Sequence, residues 1–377
     1  MPIPTAAESK PEPYQSVDDL ETPMLLADLD VMEANVEEYI SFAERHDVSL
    51  RSHVKTHKCP DIARWQHDLT GGGIVCQTLS EVEVMARNGL DDVYLSHTVV
   101  DRARLDRLVW LSRKLDSFAT TVDGRDNTAP LAAAAERHDA TVDVIVEIDV
   151  GLGRTGIEPG EPAVDLVRYI DDQPGLNFQG LLAYEAHVKS EAETKAEYER
   201  LCYDAMDIAA ETVESIEDEG MSVAEVKVGG TATAKYSGSH PVVTEINPGM
   251  YPFMDVGELR CRPWEVSVDD CAATVLTTVV STAVDGRAVV DAGSKSLSLD
   301  KPEMPVPKGH DGVEYANASE EHGWLDVTDD DAPEVGDRLE FVTPHVCTTI
   351  NLHDTIVGVR DGRVEEIWDV AARGKVR

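Results

Sequence analysis

The first two thirds of the chain alternates short apolar runs with longer amphipathic segments. The runs GGIVCQT, DVYLSH, FATTVD and VDVIVEIDVG are each followed by a stretch of helical length. Early in the chain, TPMLLADLD leads into a segment whose apolar residues recur at helical spacing with acids between them: Met32, Val36, Tyr39, Ile40 and Ala43. Apolar strands that alternate with helices in this way predict parallel β/α units.

The alternation and its end predict two domains. About eight β/α units fit into roughly 230 residues, which favours a closed barrel over an open sheet. We therefore expect an α/β fold with an N-terminal (β/α)8 TIM-type barrel over residues 22–262. From residue 263 onwards, runs such as TVLTTVVSTA, RAVVDAG, RLEFVTPHVC and DTIVGVRDGRVEEIWDV predict strands with tight glycine turns and almost no helix. We expect an antiparallel β domain over residues 263–377, with the N-terminal segment 1–21 packed on it.

The charge balance is strongly acidic. The 377 residues include 72 aspartates and glutamates against 33 lysines and arginines, a formal net charge of -39. Such an excess repels nucleic acid and anionic membrane surfaces, so neither is an expected partner. The acids are scattered, for example at 171–172, 217–219 and 329–331, as on the solvated surface of a protein from a high-salt cytoplasm. The alternative is a mildly acidic protein from an ordinary cytoplasm.

Cysteine usage and the N-terminus predict a cytoplasmic location. The six cysteines are spread out and form no C-x-x-C pair, which suits a reducing compartment better than a disulfide framework. The first residues lack a charged start followed by an apolar run, so no signal peptide is predicted. No apolar run approaches the roughly 20 residues that cross a bilayer.

The stretch RSHVKTHKCP, residues 51–60, concentrates basic and titratable side chains in this acidic chain. In an extended strand His53, Lys55 and His57 would share one face. A lysine at the carboxyl end of a barrel strand, desolvated and beside partly cationic imidazoles, would have its pKa lowered and could form a Schiff base. A basic surface loop without a function is the alternative.

Three glycine-containing segments predict sites for an anionic or planar ligand. KVGGTATAKYSGS follows a strand and exposes backbone N–H groups that can bind a phosphate, although an ordinary turn is the more common explanation of such a segment. NPGMYPFMD offers a second turn on the next strand, at the phosphate position favoured in β/α barrels. In EIDVGLGRTGI, glycines on both sides of Arg154 let the backbone approach a planar ligand whose oxygen the guanidinium can bind, unless Arg154 is simply a surface residue.

His345 and Cys347 form an H-x-C pair in TPHVCTTINLHD. Two apart on a strand, they would face the same side. Imidazole and thiolate are a good half-site for Zn²⁺, but catalytic zinc usually has three protein ligands, so an incidental pair is the alternative.

Taken together, these segments resemble one family. TPMLLADLDVMEANV, RSHVKTHKCP, EIDVGLGRTGI, VGGTAT, NPGMYPFMD, DAGSKSLSLD and PHVCTTINLHD occur in the order typical of the D-threonine aldolase and D-serine dehydratase group, fold-type III pyridoxal-phosphate enzymes related to alanine racemase. They span residues 22–354, nearly the whole chain. The resemblance implies an alanine racemase-like fold and a homodimer.

The resemblance also implies a role for individual residues. Lys55 would hold pyridoxal 5'-phosphate as a Schiff base, and His345 and Cys347 would bind a divalent metal, Zn²⁺ or Mn²⁺. The other residues implied around the cofactor are Gln77, Arg154, Tyr184, Gly229, Gly230, Thr231, Gly249 and Tyr251.

The implied activity is a metal-assisted lyase reaction on D-3-hydroxy amino acids. Loss of the Cα proton to Lys55 would lead to dehydration, whereas loss of the hydroxyl proton to His57 or His53 would lead to aldol cleavage. In this family the aldolases tend to pair the metal histidine with a carboxylate and the dehydratases with cysteine. Cys347 therefore favours dehydration, while the length and TTINLHD are more typical of aldolases. The rivals are an amino-acid racemase of the same fold and a non-catalytic pyridoxal-phosphate carrier.

Overall fold

A computed structural model of the chain describes residues 11–328 and 332–377. The described residues form two structural units. The barrel unit comprises Glu38–Lys55, Pro60–Gly249 and Gly374–Arg377. The β unit comprises the described residues up to Glu37, together with Thr56–Cys59 and Met250–Arg373.

Within the described residues, nine parallel strands form the sheet of the barrel unit. They follow the first strand of the chain, β1 (Met24–Asp28), and are β2 (Ser49–Leu50), β3 (Ser52–His53), β4 (Ile74–Cys76), β5 (Asp92–Leu95), β6 (Ser117–Val122), β7 (Val142–Ile148), β8 (Leu176–Ala183), β9 (Glu225–Gly229) and β10 (Glu245–Asn247). The order β2-β10-β9-β8-β7-β6-β5-β4-β3 starts and ends on strands that only Arg51 separates along the chain. Because β2 and β3 are the two halves of one broken strand, the sheet is a nearly closed barrel of eight strands, and the predicted β/α barrel is confirmed.

Backbone hydrogen bonds close the barrel at the broken strand. The N–H of Arg51 donates to Ile246 O at 3.0 Å, and the N–H of His53 donates to Pro248 O at 2.9 Å. The strands consist mainly of apolar residues, and β4 and β7 are buried almost throughout, as parallel strands covered by helices must be.

Helices follow the strands at the predicted spacing. The longer helices bury apolar residues, and several begin at a side chain that accepts a backbone N–H, such as Thr78, Asp101 and Thr194. The helices are α1 (Leu29–His46), α2 (Pro60–Thr70), α3 (Leu79–Arg87), α4 (Arg102–Ser112), α5 (Arg125–Arg137), α6 (Glu161–Asp171), α7 (Val188–Glu191), α8 (Lys195–Asp218), α9 (Ala234–Ser237), α10 (Val256–Cys261) and α11 (Val346–Ile350). Across residues 11–328 and 332–377, no helix combines the length and the apolar character that a membrane span requires.

The amino ends of the barrel strands carry a buried ion network. Arg51 Nε lies 3.0 Å from Glu245 Oε2, and its Nη1 lies 2.8 Å from Asp92 Oδ1. Lys227 Nζ lies 2.8 Å from Glu245 Oε1 and 5.4 Å from the centre of the Tyr94 ring. Burial raises the pKa of Glu245, but Lys227 and Arg51 outweigh it and hold that pKa below its ordinary value.

The β unit contains a second, mixed sheet. Its path is β14-β15-β12-β11-β1-β17-β18, with β16 beside β11 and β13 beside β16. Apart from β1, these strands are β11 (Ala273–Val284), β12 (Arg287–Val290), β13 (Val306–Pro307), β14 (Val313–Ala318), β15 (Gly323–Val327), β16 (Arg338–Val342), β17 (Thr355–Arg360) and β18 (Arg363–Asp369). The pairs are antiparallel except β1 with β17.

Three details of this sheet differ from the prediction. The sequence pattern places β1 at the start of the barrel segment, but β1 pairs with β11 and β17. The local pattern does not indicate this pairing, because both partner strands lie more than 200 residues away along the chain. Strands β13, β14 and β15 were not predicted. The segment after β16 forms α11, where a continued strand was predicted.

The N-terminal segment is described from residue 11 onwards, and residues 1–10 lie outside the described part of the chain. Tyr14 N–H donates to Val364 O at 2.7 Å, and Val364 N–H donates to Gln15 O at 2.9 Å. Leu20 joins Leu26, Leu276, Val357 and Val364 in an apolar core of the β unit.

Candidate active site

Most of the residues predicted to bind the cofactor lie at the carboxyl ends of barrel strands. That end of a β/α barrel is where active sites are built. Within the barrel unit they are Lys55 beyond β3, Gln77 directly after β4, Arg154 in the loop after β7, Tyr184 directly after β8, Gly229, Gly230 and Thr231 at the end of β9, and Gly249 beyond β10.

The conformation around Lys55 corrects the predicted strand. β3 ends at His53, and residues 54–57 form a turn. The strict alternation of His53, Lys55 and His57 on one strand face was therefore wrong, since a turn redirects each side chain separately. The sequence has no signal for this early end, because Val54 and Thr56 are strand-forming residues.

Gln77 nevertheless joins Lys55 to His53. Its Oε1 lies 3.4 Å from Lys55 Nζ and 3.2 Å from His53 Nε2. Gln77 Nε2 donates to Ser96 O at 2.7 Å, which fixes the amide so that Oε1 faces the two bases. Because Oε1 can only accept, the hydrogen bond assigns the proton of neutral His53 to Nε2.

His57 is fully buried in the β unit. Its Nδ1 accepts a hydrogen bond from the backbone N–H of Cys59 at 3.1 Å, and its ring centre lies 6.3 Å from that of Phe253. The bond assigns the proton of the neutral ring to Nε2, so Nε2 acts as a donor and not as an acceptor.

Arg154 and Tyr184 stack against each other. The guanidinium carbon lies 4.8 Å from the centre of the Tyr184 ring, and Nη2 lies 3.5 Å from Glu147 Oε1. The loop is shaped by Asp149, whose Oδ1 accepts the N–H groups of Gly151 and Gly153 at 3.0 Å each. The Arg154 guanidinium can still donate hydrogen bonds to a ligand, since its side chain is 57% exposed.

Tyr184 also faces the glycine turn after β9. A Cβ atom added to Gly229 would come within 3.1 Å of Tyr184 Cδ2, and Gly230 has a φ of +92°, which only glycine adopts without strain. The bare backbone at this turn fits a phosphate, whose oxygens need close N–H donors. Thr231 is buried, and its carbonyl accepts the hydroxyl of Tyr39 at 2.7 Å.

The two remaining cofactor candidates lie in the second turn, NPGMYPFMD. Gly249 is buried at the end of the barrel unit, and Tyr251 is fully buried in the β unit.

His345 and Cys347 are brought together on α11 rather than on a strand. His345 is the residue that precedes the helix, Cys347 lies in its first turn, and the two side chains are hydrogen-bonded. Asp300 Oδ2 lies 2.8 Å from His345 Nδ1, and Thr56 Oγ1 lies 3.2 Å from Cys347 Sγ. Burial lowers the pKa of His345, but Cys347 and Asp300 outweigh it and raise that pKa to about 9.

This donor set fits a metal that keeps open positions. An imidazole and a thiol are soft donors of the kind that zinc prefers, and the Asp300 bond at Nδ1 leaves Nε2 for coordination. In residues 11–328 and 332–377, no group of three or more His, Cys, Asp or Glu side chains could hold a metal ion, so water or substrate would complete the coordination.

A buried carboxylate sets the start of α11. Asp255 Oδ2 accepts the N–H of Val346 at 2.9 Å, and its Oδ1 accepts the N–H of Glu258 at the start of α10. Burial, and then the nearby Glu258, raise the pKa of Asp255 to about 6. This bond between residues 91 positions apart explains why the segment turns into a helix after β16.

Three carboxyl groups were given no role by the sequence: Asp255, Asp300 and Glu185, which accepts the Ser237 hydroxyl. Asp300 ends DAGSKSLSLD, a segment that carries the family resemblance, and Glu185 follows Tyr184 directly. Those positions were the only signal, because the partners of Asp255 and Asp300 are distant along the chain.

Two family models match the chain. The alanine racemase N-terminal domain matches residues 27–256, and a serine dehydratase domain matches residues 272–359. The chain is 37% identical to a D-threonine aldolase of Arthrobacter sp. over 369 residues, 97% of this chain and 96% of that protein. It is 36% identical to a 3-hydroxy-D-aspartate aldolase of Paracoccus denitrificans over 372 residues, 96% of this chain and 95% of that protein.

Solved structures agree with these likenesses. D-threonine aldolase from Filomicrobium marinum matches with a TM-score of 0.92 and 37% identity, covering 97% of this chain and 100% of that chain. D-threo-3-hydroxyaspartate dehydratase from Delftia sp. HT23 matches with a TM-score of 0.84 and 26% identity, covering 94% of this chain and 98% of that chain. Two solved variants of a dehydratase of that name replace a histidine and, two positions later, a cysteine, and the cysteine variant is in a metal-free form.

Proposed function

The chain belongs to the D-threonine aldolase and D-serine dehydratase family of alanine racemase-fold enzymes, and on this premise we propose that it is a lyase that cleaves D-3-hydroxy amino acids between Cα and Cβ. The observation that carries the choice of cleavage is the 37% identity to a D-threonine aldolase over 97% of the chain. The barrel strands carry the residues that we propose for the cofactor, and α11 carries those that we propose for the metal.

Pyridoxal 5'-phosphate is the cofactor of this family, and Lys55 is the residue that we propose binds it. When bound, it supplies an electron sink for the electron pair of the broken bond. Gln77 holds Lys55 Nζ through its fixed amide oxygen. The stack of Arg154 on Tyr184 would line the cofactor ring, and the backbone of Gly229–Thr231 and of Gly249 would hold the phosphate.

The metal is proposed to bind His345 Nε2 and Cys347 Sγ, and Zn²⁺ or Mn²⁺ are the candidates. When bound, it supplies a Lewis acid for the substrate's hydroxyl oxygen. The histidine–cysteine spacing equals that of the two positions replaced in the dehydratase variants, which supports this pair. Asp300 orients His345, since it accepts the Nδ1 proton.

The hydroxyl proton requires a base in the cleavage direction. Nδ1 of His57 accepts the Cys59 N–H and its Nε2 carries the proton, so the base is proposed to be the other histidine of the segment, His53, which contacts Gln77 beside Lys55. We assign proton acceptance to His53 and hydrogen-bond donation to His57.

Dehydration is the second candidate, and two observations favour it. Cys347 stands where the dehydratase-type pair has its cysteine, and His57 Nε2–H is a donor that could hydrogen-bond a departing hydroxyl. A homodimer and a high-salt cytoplasm remain part of the proposal, to be tested by sedimentation and by the salt dependence of stability.

Substrate consumption tests the proposal. The protein, loaded with pyridoxal 5'-phosphate and Zn²⁺ or Mn²⁺ in high salt, is incubated with D-threonine, D-serine, L-threonine and D-alanine. We expect consumption of D-threonine or D-serine and no change in the other two, because L-threonine has the wrong configuration and D-alanine lacks the β-hydroxyl group. Racemisation of D-alanine with D-threonine and D-serine left intact would overturn the lyase proposal.

A further inference from the structure

Glu185 is a fully buried carboxyl group at the carboxyl end of β8, directly after Tyr184. Its Oε1 accepts the hydroxyl of Ser237 at 2.6 Å. Its Oε2 is buried and has no hydrogen-bond partner in the described part of the chain. None of the steps of the proposed reaction uses it.

The carboxyl group holds the glycine turn after β9. Ser237 ends α9, the short helix that follows this turn, and the Thr233 hydroxyl donates to Gly229 O at 2.8 Å. The Thr233 hydroxyl and the backbone N–H of Gly229 both act on the Glu185 carboxyl and lower its pKa. Consecutive side chains therefore support one turn, because Tyr184 lies against its glycines and Glu185 binds Ser237 on the helix that follows it.

Its surroundings favour the uncharged form. Burial raises the pKa of Glu185 to about 7, although the Ser237 and Thr233 hydroxyls act in the opposite direction. On α8, Cys202 interacts with Glu185: the pKa of its thiol is raised by burial and then by Glu185, so the thiol is neutral as well.

Other titratable groups on the neighbouring elements are engaged elsewhere. On α9, Lys235 pairs with Glu38 and the Tyr236 ring packs on Tyr198. The His187 ring, two residues beyond Glu185, packs against Gly151. On α8, Glu199 pairs with Lys195.

Resting on the proposed cofactor site, we infer that Glu185 is a positioning residue for the phosphate of the cofactor. In its neutral form it fixes the segment from Gly229 to Ser237 without placing a negative charge beside a dianion. A buried amide or acid keeps these hydrogen bonds, whereas an ionised carboxylate would repel the phosphate across a poorly screened distance.

The sign of the pH dependence follows. Below about pH 7 Glu185 is protonated and the affinity for the phosphate is complete. As the pH rises, free protein loses this proton while bound phosphate favours keeping it, so the affinity falls. This fall in affinity is due to Glu185 only if a variant with a neutral side chain at position 185 does not show it.

Cofactor binding tests the inference with two ligands. The wild type, Glu185→Gln and Glu185→Ala are titrated with pyridoxal 5'-phosphate and with pyridoxal, which lacks the phosphate, at about pH 6.5 and about pH 8.5. We expect the Gln variant to equal the wild type at the lower pH and to bind at least about threefold more tightly than it at the higher pH. The Ala variant, which loses the hydrogen bonds, should bind the phosphorylated ligand about tenfold more weakly at both. Pyridoxal affinity should change in none of them.

Three results would overturn the inference: wild-type affinity in the Ala variant, a wild-type pH profile in the Gln variant, or an equal loss for pyridoxal. If Glu185→Ala fails to fold, Ser237→Ala takes its place in the experiment, because this variant removes the same hydrogen bond. A wild type that binds neither ligand would instead contradict the proposed function, and the inference with it. Thermal unfolding of each variant controls for general destabilisation.

Discussion

At the scale of single residues, the structure joins side chains that are distant in sequence. Asp300 accepts hydrogen bonds from Ser298 and Thr348 through Oδ1 and contacts His345 through Oδ2. A carboxylate held in this way fixes the ring orientation and the tautomer of a metal-binding histidine.

Replacement of Asp300 should weaken metal binding. We expect Asp300→Ala to lose about 10–100-fold in affinity for Zn²⁺, because His345 then loses its orientation. Competition with a colorimetric chelator measures this affinity. Asp311→Ala, a loop acid, is the matched control and should bind as the wild type does. Unchanged affinity in Asp300→Ala would show that Asp300 does not orient a ligand.

The two histidines near Lys55 should differ in their effect on turnover. His57→Asn keeps an acceptor for the Cys59 N–H and should retain most of the cleavage rate, whereas His53→Asn removes the proposed base and should lose about 100-fold or more in kcat. Steady-state rates with D-threonine measure both variants, and cofactor absorbance controls for binding. A larger loss in His57→Asn would reverse the assignment of the base.

At the scale of elements, the barrel depends on its buried ion network. Lys227 and Glu245 are both nearly inaccessible, and Arg51 binds the same carboxylate. A buried charge without its partner is costly, even though replacing a whole pair often is not.

Lys227→Met should destabilise the barrel. We expect a loss of about 3–5 kcal/mol in the free energy of unfolding, because Glu245 keeps only Arg51 as a cation. The double variant Lys227→Met, Glu245→Gln should recover part of the lost free energy of unfolding. Since Glu245 has a lowered pKa in the fold, the stabilisation is present above its unfolded pKa and is lost as the pH falls. Urea unfolding of the variants measures this, and equal stability of Lys227→Met and the wild type would contradict it.

The elements also show what the sequence can predict. The β/α rhythm has a local cause in helical and strand periodicity, so the barrel was predictable. The sheet that β1 joins was not predictable, because an apolar run followed by a helix has the same pattern whichever partner it pairs with.

The same limit applies to the candidate site. Lys55 and the H-x-C pair were found from residue types, but α11 depends on Asp255 and the orientation of His345 depends on Asp300, both distant along the chain.

At the scale of the whole molecule, the net charge of -39 dominates. Repulsion between acids destabilises a folded chain at low ionic strength, and dissolved salt screens it over a distance of about 10 Å at 0.1 M.

Stability should therefore rise with salt. We expect the midpoint of thermal unfolding to increase by several degrees between about 0.1 M and about 2 M KCl, where screening acts within a few ångströms. Sucrose at matched osmolality separates screening from the exclusion of cosolvent. An unchanged midpoint in KCl, or an equal rise in sucrose, would contradict an electrostatic origin.

The bond that the protein breaks is identified most directly by the products formed from D-threonine. The protein, saturated with pyridoxal 5'-phosphate and the divalent metal, is incubated with D-threonine, and all products are quantified by mass spectrometry. Cleavage between Cα and Cβ predicts glycine and acetaldehyde in equal amounts. Formation of 2-oxobutyrate and ammonia, or of L-allo-threonine by inversion at Cα, would contradict it.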